Sequence, residues 1–260
     1  MRNKLTNELA VCGFNAVTAL GETHPEQINR LFLAENRLPQ FTKLCKQLAE
    51  QKRPYKLCED EELERICKSS HHQGVVAMLT EPEVRGLDQD DLDLWVREGK
   101  TGIILHAVGN DHNLGAIVRS AAFFDAAFVV VSASDTEACL TTSAYRVAEG
   151  GMEHVAFRTL RNTAAFLRDA STSLITIGAV PRARWRLRDL PNIISDKAAQ
   201  LALTGTRPSI ALVVGNEERG LPTDVQEQCS ALVRIPGTGK LDSLNVAQAA
   251  TLFLHQIYEL

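Results

Sequence analysis

The sequence contains no long apolar run: nowhere in its 260 residues do eighteen or more apolar residues follow one another. This absence argues against a membrane-spanning helix. The start, MRNKLTNELAVCGF, also lacks the order of basic, apolar and small residues that a secretory signal shows. We therefore expect a cytoplasmic protein with no membrane partner.

Cysteines are few and widely spaced, and no CxxC pair occurs among Cys12, Cys45, Cys58, Cys67, Cys139 and Cys229. The chain thus lacks the usual spacing for a zinc site or for thiol exchange. His106 and His112 have no third potential ligand at a suitable spacing, and the adjacent His71 and His72 do not supply one. We expect no metal site and predict that most of the cysteines are buried thiols.

Acidic and basic residues nearly balance, with 28 Lys and Arg against 32 Asp and Glu. The resulting net charge of −4 argues against a protein that coats nucleic acid without specificity. The acidic excess is concentrated in residues 81–95, which hold six acidic residues and one basic residue. Because this segment also contains Pro82 and Gly86, we predict an acidic linker over 81–95 between domains at 1–80 and 96–260.

One short segment, PRARWRLRD, is strongly basic, with arginines at every second position: Arg182, Arg184, Arg186 and Arg188. In an extended chain, a period of two would place all four guanidinium groups on one side, where they could bind RNA phosphates. A solvated loop, or an edge strand protected by charge, is an equally good interpretation of the same pattern.

The amino-terminal domain alternates helical and extended patterns. Apolar spacing predicts a short helix over residues 10–20, a strand within 28–35 and a closing strand within 71–79. Between these two strands, two polar helices flank a short strand at 55–58. The pattern indicates a small α/β domain.

The carboxyl-terminal domain contains five β-branched runs: IILHAV, FVVV, LITIGAV, IALVVG and LVRIP. Each run is followed by a turn or a helical pattern, which is typical of a mostly parallel, buried sheet in an α/β fold. The last 18 residues predict a helix with Ser243 as its N-cap.

Three glycine-rich, polar loops follow these runs: GNDHNLG, GNEERGLP and PGTGKLDSLN. Parallel α/β sheets bind ligands at the carboxyl ends of their strands, so these loops form the candidate site. Neither the phosphate-binding GxxxxGK[ST] pattern nor the dinucleotide-binding GxGxxG pattern is complete in them. The glycines would still let the backbone approach a small ligand closely.

These loops carry three motifs that resemble the SpoU/TrmH family of RNA ribose 2′-O-methyltransferases, within the SPOUT superfamily. The first motif is Asn113-x-Gly115 with Arg119 six residues after the asparagine. The second is Gly215-x-Glu217-x-x-Gly220-Leu221, and the third extends from Ile235 to Ala247. The resemblance covers nearly the whole chain, because VCGFNAVTAL and HHQGVVA are similar to the ends of the family's small RNA-recognition domain.

The resemblance implies that the carboxyl-terminal sheet forms a trefoil knot that binds S-adenosyl-L-methionine, and that the amino-terminal domain is similar to a ribosomal protein. Gly215, Ile235 and Leu244 would contact this cofactor through backbone and apolar surface. The family's members usually work as homodimers on structured RNA, either rRNA or tRNA. The residues alone do not indicate which RNA or which nucleotide is the substrate.

The resemblance also assigns the chemistry. Arg119 would be the essential arginine. A guanidinium is a poor base at neutral pH, so either Arg119 is strongly perturbed and acts as the base, or it orients the ribose hydroxyl and stabilises the developing alkoxide. We expect the second role, or a proton relay through the RNA phosphate. Asn113 would cap its helix, hold the ribose or fix Arg119. Glu217 would brace Arg119 or the neighbouring loop, unless it is simply a solvated loop carboxylate. Ser243 and Asn245 would contact the RNA or cap the last helix.

Two residues depart from the family pattern: Gly237, where methionine is common, and Glu149, where a small residue is common. Either could reshape the cofactor or substrate pocket. They leave a second hypothesis open, namely an RNA-binding or ribosome-associated protein that keeps the methyltransferase scaffold without turnover. The presence of the five polar motif residues favours the enzyme.

Overall fold

The computed structural model describes residues 8–132, 140–201 and 207–260. The first part of the chain alternates strands and helices: β1 (Glu8–Cys12), α1 (Phe14–Thr23), β2 (Ile28–Leu33), α2 (Leu38–Glu50), β3 (Tyr55–Leu57), α3 (Asp60–Cys67) and β4 (Val75–Thr80). The second part continues this alternation: α4 (Gln89–Glu98), β5 (Thr101–Leu105), α5 (Asp111–Phe123), β6 (Phe128–Ser132), α6 (Thr142–Ala148), β7 (Ala156–Leu160), α7 (Thr163–Asp169), β8 (Ile175–Ala179), β9 (Trp185–Arg186), α8 (Leu190–Gln200), β10 (Ile210–Val214), α9 (Thr223–Gln228), β11 (Ala231–Arg234) and α10 (Val246–Tyr258). Among the described residues, no helix is both long and apolar enough to cross a bilayer.

The first compact unit contains the described residues up to Glu83 together with Leu140–His154. Its sheet has the strand order β1-β4-β2-β3, in which β4 is antiparallel to both of its neighbours and β3 is parallel to β2. The expected helix over 10–20 is wrong in its first part, because residues 10–12 complete β1. Gly13, at a φ of 104°, turns the chain so that the helix begins at Phe14.

Helix α6 belongs to this first unit, although it comes late in the chain. It packs on β1, whose five residues are all buried even though β1 is an outer strand of the sheet. The expected domain at 96–260 is therefore not continuous, because residues 140–154 pack with the amino-terminal sheet. The closing strand and the helix–strand–helix pattern around 55–57 are confirmed.

The second compact unit contains a seven-stranded sheet with the order β7-β6-β5-β10-β8-β11-β9, and every neighbouring pair is parallel. The five β-branched runs form five of these strands, which confirms the mostly parallel α/β sheet. Two strands were missed: β7, most of which is only half-buried, and β9, which has two residues. Strand β10 lies between β5 and β8, and β11 lies between β8 and β9.

The expected linker at 81–95 is wrong for most of its length. Asp88 caps α4 by accepting a hydrogen bond from the backbone N–H of Asp91 at 2.9 Å, and the helix then runs through Trp95 to Glu98. Trp95 is fully buried, stacks on Phe128 with ring centroids 5.1 Å apart, and donates its indole N–H to the Lys100 carbonyl. The acidic composition therefore marks the polar face of a packed helix rather than a solvated connection.

The prediction of buried thiols is confirmed for Cys12, Cys45, Cys58 and Cys67, whereas Cys229 is half-buried. Cys139 lies outside the described residues. All five described cysteines are free.

Candidate active site

The site begins where β5 ends and α5 starts. The cap of α5 is Asn110, whose side-chain oxygen accepts hydrogen bonds from the backbone N–H groups of His112 and Asn113. The expected capping role of Asn113 is therefore wrong, because Asn113 lies inside the first helical turn. Its amide side chain is free to reach the neighbouring loops.

The side chain of Asn113 joins the three motif loops. Its Nδ2 donates to Oε1 of Glu217 at 2.7 Å, and its Oδ1 accepts from Nδ2 of Asn245 at 2.9 Å. Glu217 and Asn245 lie 104 and 132 positions from Asn113 along the chain. Three of the sequence-predicted residues therefore meet at the carboxyl edge of the parallel sheet.

Glu217 contacts a neighbouring loop, which is one of the two roles expected for it. Its carboxylate accepts from Asn113 and, at 3.4 Å, from Nδ2 of Asn216. Arg119 is exposed on α5, and within the described ranges its guanidinium has no hydrogen-bond or ion-pair partner. The expected brace between Glu217 and Arg119 is thus absent from the described residues, which leaves the guanidinium free to bind a ligand.

The loop after β10 is held in a fixed turn. Asn216 accepts hydrogen bonds at its Oδ1 from the backbone N–H groups of Glu218 and Arg219, and its Nδ2 donates to the carbonyl of Ala107 at 2.8 Å. The backbone N–H of Gly220 closes the turn by donating to the Asn216 carbonyl at 2.9 Å. Sequence reasoning missed Asn216, although an asparagine that begins a polar, glycine-ended loop is a recognised turn signal.

Gly215 is buried at the end of β10, where the loop folds back on it. A Cβ atom at this position would lie 2.4 Å from the backbone C and O atoms of Gly220 and 2.5 Å from the backbone N of Leu221. Only glycine allows this approach, because backbone atoms cannot give way as a flexible side chain can. The close approach fixes the shape of the second motif.

The third motif forms an exposed loop after β11. Ile235 is half-buried, whereas Leu241 and Leu244 are 81% and 45% exposed. The helix that follows is capped by Asn245, whose Oδ1 accepts from the backbone N–H groups of Ala247 and Gln248. Ser243 is exposed and lies before the helix, so its predicted capping role is wrong.

Helix α5, which carries the first motif, packs along α10, which begins at the end of the third motif. The hydroxyl of Ser120 is 2.7 Å from that of Thr251, and Thr251 also donates to the Ala247 carbonyl. Ser120 is adjacent to Arg119 in the sequence. The hydroxyl contact therefore fixes the helix segment that carries the exposed arginine.

The four alternating arginines, Arg182, Arg184, Arg186 and Arg188, are all exposed. They do not lie on one face of a regular strand, because β9 contains only Trp185 and Arg186 and a short 3₁₀ helix follows at Leu187–Asp189. The period-two interpretation is therefore wrong in its geometry. The arginines still form a basic surface at the edge of the sheet.

The two departures from the family pattern lie in different places. Gly237 is exposed in the third-motif loop, and a Cβ atom there would meet nothing within 4 Å. Glu149 ends α6 in the left-handed conformation, with a φ of 53°, and accepts a hydrogen bond from Nδ2 of Asn15 at 2.6 Å. Glu149 therefore joins α6 to α1 within the first unit.

The histidines have local structural partners. Nδ1 of His72 accepts from the backbone N–H of Gly74, and Nδ1 of His106 is 3.1 Å from the hydroxyl of Thr163. His71 and His112 are exposed. In the part of the chain that the structure describes, no group of three or more His, Cys, Asp or Glu side chains is arranged to hold a metal ion.

The arrangement can bind and orient polar groups. It presents amide groups and a carboxylate at the carboxyl end of a parallel sheet, and an exposed guanidinium further along the helix that starts there. Such an edge is the usual ligand-binding position in this fold class.

Comparison with known proteins identifies the family. A family model described as "SpoU rRNA Methylase family" matches residues 100–255, and one described as "RNA 2'-O ribose methyltransferase substrate binding" matches residues 10–85. The 23S rRNA (guanosine-2'-O-)-methyltransferase RlmB of Acinetobacter baylyi is 32% identical over 250 residues, which cover 94% of each chain. RlmB of Nitrosomonas europaea is 31% identical over 256 residues, covering 98% of this chain and 92% of the relative.

A solved structure shares the fold. The AdoMet-bound rRNA methyltransferase from Sinorhizobium meliloti superposes with a TM-score of 0.74 at 22% identity, covering 98% of this chain and 88% of the other. The family match extends over most of the chain and includes all three motif loops. The chain belongs to the SpoU rRNA methylase family.

Proposed function

We propose that this protein transfers a methyl group from S-adenosyl-L-methionine to a ribose 2′-hydroxyl of structured RNA. The observation that carries the proposal is the hydrogen-bonded chain Glu217–Asn113–Asn245, which brings the three motif loops together. The names of the relatives from Acinetobacter and Nitrosomonas favour ribosomal RNA over transfer RNA as the substrate.

The residues around the loops fit the proposed cofactor. The half-buried Ile235 and the exposed Leu244 offer apolar surface for an adenosyl group, and Gly215 lets the second-motif loop fold back on the end of β10. When bound, S-adenosyl-L-methionine would supply an electrophilic methyl carbon. Backbone and apolar contacts suit such a ligand, which has a large, mostly uncharged base and sugar.

Arg119 is the proposed catalytic residue. Its exposed guanidinium, which has no partner among the described residues, can hold the attacking 2′-oxygen and stabilise the negative charge that grows on it. Asn113 and Glu217 fix the start of the same helix, and Asn245 is bonded to Asn113. We assign Ser243 and Asn245 to contacts with the RNA backbone. Correct alignment of two bound reactants can itself contribute about 7–11 kcal/mol to lowering the barrier.

We assign RNA recognition to the first unit and to the four exposed arginines of the 182–188 segment. The match of residues 10–85 to the substrate-binding family model supports the first assignment. The positive charge of Arg182, Arg184, Arg186 and Arg188 supports the second, because phosphate contacts dominate affinity for nucleic acid. We also propose that the first unit is similar to a ribosomal protein. The protein would act in the cytoplasm, where its RNA substrate is located.

A trefoil knot in the second unit is also proposed. Strands β10 and β11 come late in the chain but lie between strands that precede them. A chain that inserts two late strands in this way can pass through an earlier loop, which is rare in proteins. The likeness to solved methyltransferase structures supports this interpretation.

A homodimer would bury the apolar surface that α5 and α10 leave exposed. Phe123 is 80% exposed, Leu252 is 43% exposed and Tyr258 is 50% exposed. Phe124 lies between two of these residues: its ring centroid is 5.0 Å from that of Phe123 and 5.8 Å from that of Tyr258. Exposed aromatic clusters of this kind are typical of protein interfaces.

We expect Phe123→Asp to convert the dimer to a monomer, because the substitution places a carboxylate in the apolar surface. Analytical ultracentrifugation would measure the change in mass. Asp125→Asn is the matched control, since Asp125 is exposed just beyond the same helix. A wild-type protein that sediments as a monomer at every concentration would contradict the proposal.

Gly215→Ala is expected to lower stability by about 1–3 kcal/mol and to weaken S-adenosyl-L-methionine binding at least about tenfold. The added methyl group collides with the backbone of Gly220 and Leu221, so the second-motif loop must open. Calorimetric titration and thermal unfolding would measure the two effects. Gly237→Ala is the control: its methyl group meets nothing within 4 Å, so stability should change by less than about 0.5 kcal/mol.

The whole proposal is tested by mapping ribose methylation across total RNA from cells with and without this protein. The expected result is at least one 2′-O-methylated nucleotide that disappears without the protein and returns with the wild-type gene. If the maps are identical and no S-adenosyl-L-methionine binds in calorimetry, the chain is an RNA-binding protein without turnover.

A further inference from the structure

The edge of the parallel sheet in the second unit presents an exposed tryptophan within a basic surface. Trp185 is 41% exposed, and the guanidinium carbon of Arg184 lies 4.8 Å from the centre of its ring. Arg182 and Arg186 are exposed on either side of this pair. Among the described residues, no carboxylate lies within ion-pair distance of Arg182, Arg184 or Arg186, so their charges are available to an anionic ligand.

Protection of the sheet edge does not explain this arrangement. β9 is the outer strand, and charged side chains on such a strand do prevent pairing with another molecule. An exposed tryptophan has the opposite effect, because a large apolar ring on an edge promotes association. Core packing does not explain Trp185 either, since the neighbouring Ala183 and Leu190 are the buried residues of this segment.

The position of Trp185 connects it with the candidate active site. Trp185 pairs in parallel with Val233 of β11, and Arg186 pairs with Arg234. The chain continues from Arg234 directly into Ile235 and the third-motif loop. Because parallel strands end at the same edge of a sheet, Trp185 and the third-motif loop lie on the same side of the second unit.

The chemistry of this surface selects unpaired RNA. An indole ring stacks on any nucleobase whose face is free, and arginine contributes both stacking and phosphate contacts. In a duplex the base faces are covered by neighbouring bases, so only a loop, bulge or end of structured RNA offers them to a protein. An acidic peptide would pair with the arginines but would give the tryptophan no flat partner.

We propose that Trp185 stacks on an unpaired nucleotide of the substrate RNA while the surrounding arginines contact its phosphates. This inference rests on the proposed function, since it takes RNA as the ligand. It narrows the substrate to RNA with an unpaired base close to the methylated ribose. It also gives the basic segment a defined role in choosing that nucleotide.

The fluorescence of the protein offers a direct test, because the chain contains only two tryptophans. Trp95 is fully buried with its indole N–H bonded to the Lys100 carbonyl, so a ligand on the surface should quench Trp185 alone. We expect a short single-stranded oligoribonucleotide to quench the wild-type emission and a duplex of the same sequence to quench it far less. Trp185→Phe, which keeps only Trp95, should show no quenching.

The affinity for single-stranded RNA should depend on the aromatic ring at position 185. Trp185→Ala is expected to weaken binding of the single-stranded oligoribonucleotide about tenfold, and Trp185→Phe should retain most of the affinity. Circular dichroism would show that both variants fold. Equal affinity of Trp185→Ala and wild type, or equal quenching by duplex and single strand, would overturn the inference.

This experiment is separate from the test of methyl transfer. It is carried out without S-adenosyl-L-methionine and reads RNA binding alone. If wild type methylates RNA and Trp185→Ala has an unchanged KM, the stacking inference fails and the proposed function stands. If wild type binds the oligoribonucleotide through Trp185 but transfers no methyl group, the proposed function fails and stacking stands.

Discussion

Arg119→Ala is expected to lower kcat for ribose methylation about 10²- to 10³-fold, the usual effect of removing one donor that stabilises a developing oxyanion. Binding of S-adenosyl-L-methionine should be retained, because the proposed cofactor contacts are Gly215, Ile235 and Leu244. The melting temperature should also be retained, since Arg119 is exposed and has no partner among the described residues. Single-turnover methyl transfer to an rRNA fragment measures the rate.

Two further variants distinguish a specific catalytic role of Arg119 from a general effect of positive charge. Arg97→Ala removes an exposed arginine from α4 of the same unit and should leave kcat unchanged. Arg119→Lys keeps the charge but loses the planar pair of donors, so its kcat should fall between those of Arg119→Ala and wild type. A wild-type rate in Arg119→Ala would remove this residue from the mechanism, and equal losses in Arg97→Ala would point to a general effect of charge.

Asp91→Asn is expected to destabilise the second unit by about 3 kcal/mol, because it breaks a buried ion pair. Asp91 is 3% exposed, and its carboxylate binds Arg158 through two hydrogen bonds of 2.7 and 2.9 Å. Arg85 donates a third at 2.7 Å. The neutral amide would leave the half-buried Arg158 without its counter-charge, and a loss of about 6–12 °C in melting temperature would follow.

The destabilisation caused by Asp91→Asn should decrease at low pH. Burial raises the pKa of Asp91, but hydrogen bonds and charge from Arg158 and Arg85 lower it more, so the pKa lies below its ordinary value. A lowered folded-state pKa stabilises the protein above the ordinary carboxyl pKa, and the gain is lost as the pH falls through the folded-state value. The difference between wild type and Asp91→Asn should therefore shrink below about pH 4.

Asp93→Asn is the matched control for this experiment, since Asp93 is exposed two residues along the same helix. Its melting temperature should stay close to that of wild type. If Asp91→Asn behaves in the same way, the ion pairs of Asp91 with Arg158 and Arg85 do not contribute to the stability of the second unit.

Local sequence signals predicted most of the regular structure. Dense β-branched runs identified five of the seven parallel strands, because a strand buried on both faces requires apolar side chains at successive positions. Strand β7 was missed since most of its residues are only half-buried, and β9 was missed since two residues produce no pattern. The apolar spacing predicted a helix from residue 10, but residues 10–12 belong to β1 and the turn at Gly13 delays the helix to Phe14.

Three of the predicted site residues meet in the structure, but their contacts were not predicted. The motifs correctly brought together Asn113, Glu217 and Asn245. The predicted caps Asn113 and Ser243 were wrong, whereas capping by Asn245 is confirmed. Asn110 and Asn113 are equally good caps by composition. Which one caps the helix depends on whether a side chain finds a partner in another loop.

The sequence by itself determined the fold class, the family and the three loops that form the candidate site, because these depend on residue type and spacing along the chain. Only the tertiary structure decided that residues 84–98 are part of a domain and that residues 140–154 pack with the other one. It also decided the partner of Glu217 and the exposure of Trp185. Each of these depends on contacts between distant parts of the chain, such as that of Trp95 with Phe128, and such contacts have no local pattern that composition or periodicity could reveal.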